Sequence, residues 1–222
     1  MKKSNLKISF IINIVIFIMV LLGTIFMITG FKFMSNTEVL ATTGLSLFKF
    51  YTVDSNIFAG LASLILIIYE ILILNKRIDK IPKFAYIMKY IGTVAVSLTF
   101  LVTLFYLAPS YGKNFWFLYQ NSNLLFHLLV PILSFISFVC FEKIKLDFKY
   151  TFYGVSTMIL YGIYYVSNIL IHQENGKVAF EYDWYGFVQN GVSSIFIVFP
   201  VILLITYLIG LIIYKLNSYK GD

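Results

Sequence analysis

The run Ile8–Gly30, ISFIINIVIFIMVLLGTIFMITG, decides how this chain must fold. It carries no charged residue and is long enough for a helix to cross a hydrocarbon core, which takes about 20 mostly apolar residues. Lys2, Lys3 and Lys7 stand before it, as in the basic start of a signal peptide. The run exceeds the roughly 7–15 residues of a signal-peptide core and lacks a small-x-small cleavage site, so it reads as a retained first span.

Working outward, five more runs of similar character follow: Tyr51–Leu74, Ala85–Leu107, Asn123–Phe141, Phe152–Ile171 and Val192–Tyr214. The composition agrees. Of 222 residues, 60% are hydrophobic and 12% charged, against about 45–50% and 25% in soluble domains. Too little polar material remains to cover a water-facing surface. Backbone polar groups in lipid must be satisfied within the segment, so these runs are expected to be helices. No strand alternation of an outer-membrane barrel is present. The expectation is an all-α, polytopic membrane protein: residues 1–222 as one bundle of six transmembrane helices.

Orientation follows from the basic residues. With the N-terminus inside, the inner segments hold Lys2, Lys3, Lys7, Lys76, Arg77, Lys80, Lys83, Lys89, Lys143, Lys145, Lys149, Lys215 and Lys220. The outer segments hold Lys32, Lys49, Lys113 and Lys177. Thirteen against four places both termini in the cytoplasm and the chain in the plasma membrane. The net charge of +7 lies in clusters beside the spans rather than along a stripe, so it marks topology and contact with anionic membrane lipids, not nucleic acid. Cys140 is the single cysteine, which excludes an intramolecular disulfide. It falls near the inner end of the fourth span and is not a candidate nucleophile.

Polar residues gather towards the outer level of four spans. Thr52, Ser55 and Asn56 share one face of the second span, and Asn123 and His127 form an i, i+4 pair in the fourth. Tyr161, Tyr164, Tyr165 and Asn168 recur at helical spacing in the fifth, and Gln189, Asn190, Ser193 and Ser194 open the sixth. The inner halves read as much more uniformly apolar, with Glu70 snorkelling to the inner basic loop. A polar pocket opening outward is expected, because intramembrane polar groups face the bundle interior or a wet cavity. His127 is its principal functional candidate, while His172 reads as an interfacial, solvated residue. Asp54 reads as an N-terminal charge on the second helix, with orientation of His127 as its other role. No phosphate loop, metalloprotease pair or nucleophile elbow occurs. Two histidines in separate spans make a poor metal site, and no cofactor is expected.

The stretch Phe48-Lys49-Phe50-Tyr51-Thr52-Val53-Asp54-Ser55-Asn56, with Asn123-Leu124-Leu125-Phe126-His127 and Pro131, resembles the androgen-induced membrane protein family. The likeness is greatest to its small bacterial six-span relatives. Its animal members are membrane threonine hydrolases that cleave fatty-acid esters of hydroxy fatty acids. The resemblance implies Thr52 as nucleophile and His127 as base, with Asn123 also in the family pattern. Asp54-Ser55-Asn56 is more polar than the animal counterpart, and His127–Pro131 is a residue shorter. Ser55, Asn56, Asn123, Tyr161, Tyr165 and Asn168 would form the substrate or oxyanion pocket for a fatty-acyl ester. A transporter or ligand-binding protein using the same pocket, or a lipid acyltransferase, are the other readings.

Overall fold

A computed structural model describes residues 3–36, 42–110 and 115–219. Lys2, Lys113 and Lys220, used in the charge reading, lie outside them. Six helices are long and apolar enough to cross a membrane: α1 Ser4–Thr29, α2 Tyr51–Leu74, α3 Lys83–Ser110, α4 Ser122–Phe141, α5 Phe148–Ile171 and α6 Val192–Ser218. Among the described residues there is no strand; Glu174 and Lys177 form one isolated bridge. The protein is therefore an all-helical, multi-pass membrane protein. Each expected span has its helix, with ends moved by up to four residues.

α3 is the axis of the bundle. In its most apolar stretch 61% of residues are buried, against 22–44% in the other five. Small residues let its neighbours approach. A Cβ on Gly92 of α3 would stand 3.0 Å from the Ala59 Cα of α2, a close backbone contact typical of membrane helix pairs. The outward faces carry large apolar side chains such as Ile11, Leu61, Leu160 and Ile197, which suit lipid and would be costly in water.

Two helices contain π-helical turns, α3 at Thr103–Leu107 and α4 at Leu125–Leu129 and Ser137–Phe141. Pro109 and Pro131 follow the first two. A proline has no N–H to give to the carbonyl one turn back, and widening that turn is a usual response. Behind Pro131, the Asn56 side chain of α2 supplies a donor, with Nδ2 3.1 Å from the Phe126 carbonyl. The local break thus places His127 in an irregular turn that α2 braces.

The two ends of the bundle differ. At the end holding both termini, the start of α1, the ends of α2 and α4 and the start of α3 enclose charged side chains. This corrects two expectations. Glu70 does not snorkel; it is 0% exposed and accepts a hydrogen bond from Ser9. Lys89 is no loop charge; it is 1% exposed within α3. Rotation of both helices turns these residues inward, which a count of loop charges does not register.

Candidate functional site

At the opposite end, α2, α3 and α4 bring the expected residues to one level. His127 is 5% exposed and its Nδ1 lies 2.7 Å from the Thr103 hydroxyl of α3. The Thr103 Oγ1 also lies 2.9 Å from the Thr99 carbonyl. A hydroxyl has one hydrogen. The assignment that satisfies both contacts has Thr103 donating to Thr99 and His127 Nδ1–H donating to Thr103. In the neutral imidazole this fixes the Nδ1–H tautomer and leaves the lone pair at Nε2, where a general base needs it.

Asn56 ties this turn to the one bearing Thr52. Its Nδ2 donates to the Thr52 carbonyl at 2.8 Å and to the Phe126 carbonyl at 3.1 Å. Both amide hydrogens are thereby engaged, so Asn56 fixes the register of α2 against α4 rather than presenting a donor to a reacting oxygen. Among the described residues its Oδ1 is buried without a partner. Ser55 donates to the same Thr52 carbonyl at 3.0 Å and meets the Thr99 hydroxyl at 3.2 Å. Thr52 itself is half-buried. Among the described residues, no hydrogen bond joins Thr52 to His127.

Other expected residues go elsewhere. A cleft of about 420 Å³ opens between α2 and α5. Phe48, Phe58 and Leu160 form its apolar walls, while Asp54, Ser55 and Tyr161 supply polar groups. Asp54 is exposed there, on a different side of α2 from buried Asn56, so it is a cleft residue rather than an orienter of His127. Asn123 is buried at the start of α4, one turn before His127.

Tyr165 and Asn168 of α5 hold the 172–191 connection. Tyr165 hydrogen-bonds Asp183, whose carboxylate also accepts the Phe187 and Val188 amides at 2.9 and 3.1 Å. Asn168 donates to the Tyr182 carbonyl at 2.7 Å. Tyr161 donates to the Lys49 carbonyl at 2.6 Å and accepts the Trp184 indole N–H at 3.0 Å. Burial pushes the Tyr185 phenol up, so it stays protonated while its oxygen accepts the Tyr51 amide at 2.8 Å. His172 is exposed and stacks on Tyr182 at 3.8 Å.

Thr103 escaped the sequence reading because it lies in an otherwise apolar stretch of α3. Its i, i+4 spacing from Thr99 was the available signal. Asn121 has no distinguishing pattern in the sequence, yet its Oδ1 accepts the amides of Phe33, Met34 and Ser35 at 2.8, 2.7 and 3.4 Å. Among the described residues, no group of three or more His, Cys, Asp or Glu could hold a metal ion. Comparisons with protein-family models, characterised proteins and solved structures give no match.

Proposed function

We propose that this protein is a lipid-ester hydrolase embedded in the plasma membrane, with both termini cytoplasmic and its Thr52–His127 pair near the outer leaflet. The observation that carries the reading is the Asn56 bridge, which binds the backbone turns of Thr52 and His127 together. Thr103 supports it by holding Nδ1–H, so that the neutral imidazole has its lone pair at Nε2. Together they hold the turn that bears the base against the turn that bears the hydroxyl.

In this mechanism Nε2 takes the Thr52 proton as Oγ1 attacks the ester carbonyl. The tetrahedral intermediate collapses, the C–O bond to the alcohol breaks, and the imidazolium returns its proton to the leaving alkoxide. Water, deprotonated by the same imidazole, then cleaves the threonyl ester and releases the fatty acid. Catalytic hydrogen bonds commonly close only when substrate is bound, so Thr52 need not touch His127 beforehand. Thr103 acts as a positioning residue through Nδ1.

A fluorophosphonate probe tests this on purified protein in detergent. Thr52→Ala should abolish labelling, and His127→Ala should slow it about 10²- to 10⁴-fold, the usual worth of a general base. Thr103→Val should slow it several-fold, for about 1 kcal/mol of one hydrogen bond. Labelling that survives Thr52→Ala would reject this nucleophile, and a folded wild type that never labels would reject the hydrolase.

The cleft between α2 and α5 favours a second reading. It has the apolar walls and sparse polar groups of a ligand site, and neither Thr52 nor His127 lines it. Binding of a fluorescent fatty acid that Leu160→Trp blocks, in a protein that does not label, would identify a non-enzymatic lipid-binding protein.

A further inference from the structure

The densest set of buried polar side chains lies far from His127, at the end holding the termini. α1 contributes Ser9 and Asn13, α2 Ser63 and Glu70, α3 Lys89, and α4 Ser137, with Glu142 just past its end; none is more than 1% exposed. Lys89 Nζ donates to Asn13 Oδ1 at 2.7 Å and to Ser63 Oγ at 2.8 Å. Asn13 Nδ2 passes the connection on to Glu142 Oε1 at 2.9 Å. Among the described residues, Lys89 forms no ion pair with either carboxyl; the ion pair present is Lys83–Asp147.

The two carboxyls are treated differently. Glu142 Oε1 accepts from Ser137 Oγ at 2.5 Å and Asn13 Nδ2 at 2.9 Å, and lies 3.3 Å from Ser9 Oγ, whose single hydrogen goes to Glu70. Glu70 Oε1 accepts from Ser9 Oγ at 2.5 Å, and the Asn13 side chain is within its reach. Among the described residues Glu70 Oε2 is buried without a partner, as is Glu142 Oε2. With both carboxyls ionised, one ammonium faces two carboxylates and a net negative charge is sealed away from water. Such a charge is far too costly to leave uncompensated.

We propose that this cluster is a proton-binding site in which Glu70 holds the proton, while Glu142 stays ionised as the counter-charge to Lys89. Uptake protonates the Glu70 carboxylate and brings the cluster from −1 to neutral. A metal cation is the poorer ligand, because the Lys89 ammonium already occupies the Asn13 and Ser63 oxygens and repels a second cation. The other charged or titratable neighbours do not replace the proton. Tyr86 on α3 is within electrostatic reach of both carboxyls and brings no positive charge. Lys143 Nζ is turned to the Asn217 carbonyl of α6 at 3.3 Å. Asn217 Nδ2 donates to the Glu142 main-chain carbonyl at 3.1 Å, leaving the carboxyl to the cluster. Lys7 on α1 is exposed.

Infrared spectroscopy of the full chain in lipid nanodiscs at neutral pH tests the assignment. The expected result is a carbonyl-stretch band of a protonated carboxylic acid that shifts down in D₂O. It should vanish in Glu70→Gln and also in Glu142→Gln, where Glu70 must ionise to balance Lys89. It should persist in Asp54→Asn, and grow in Lys89→Met, where both carboxyls must be neutral. A wild type without the band, or a band surviving Glu70→Gln, would overturn the assignment. A band removed by added Na⁺ or Li⁺ would overturn it in favour of a metal cation. Glu70→Gln is nearly isosteric and keeps the Ser9 contact, so the decision does not depend on the lysine variant folding.

Discussion

The two ends of the bundle bury polar groups by different rules. Around His127 the groups are neutral, and many bonds run to main-chain carbonyls: Asn56 to Thr52 and Phe126, Thr103 to Thr99. At the terminal end the partners are side chains, drawn from four helices, and include a lysine and two glutamates. The first arrangement repairs a helix broken ahead of Pro131. The second ties side chains of separate helices to one another. Interhelical hydrogen bonds in membranes average about 0.6 kcal/mol, so the neutral end positions groups more than it stabilises them. Charge raises the stakes, because removing one partner leaves another buried and unbalanced.

Deleting the cation is the most direct way to break that contrast. Lys89→Ala should destabilise the protein by about 3–5 kcal/mol, the usual result of stripping a buried charge of its partner, read as a lowered thermal midpoint in detergent. A loss no greater than that of a neutral deletion would erase the distinction between the ends. Asn121→Ala tests the neutral side. It strips the Phe33, Met34 and Ser35 amides of their acceptor, and about 1–3 kcal/mol should be lost, with faster proteolysis before α2.

The exposed Lys83–Asp147 pair, 2.7 Å apart, should matter least. The Lys83 ammonium holds the Asp147 carboxyl below its ordinary range. A depressed carboxyl contributes stability that is present above its unfolded pKa and lost as pH falls through the folded one. Lys83→Ala should therefore flatten a slight acid-side decline in the thermal midpoint and do nothing measurable in high salt.

Much of this molecule is legible in its residues. Ile8–Gly30 needs no context to be a spanning helix, and the other five runs follow the same rule. His127 stands out because an ionisable side chain inside an apolar run is rare. Its partner does not. Thr103 looks like one more threonine in α3 until α4 delivers the imidazole to it. Lys89 was visible too, yet six residues from Lys83 it resembled a loop charge, and Ser9 and Asn13 resembled incidental polar residues in a hydrophobic helix.

The amino-acid order by itself determined the all-α class, the six spans and their approximate ends, since bilayer thickness and backbone hydrogen bonding act on each segment separately. Which polar residues meet was decided only in the tertiary structure. That depends on the rotation of each helix about its axis and on where Pro109 and Pro131 shift the register. Both are settled by packing between segments distant in sequence: Glu142 stands 129 residues from Asn13, and their side chains are 2.9 Å apart.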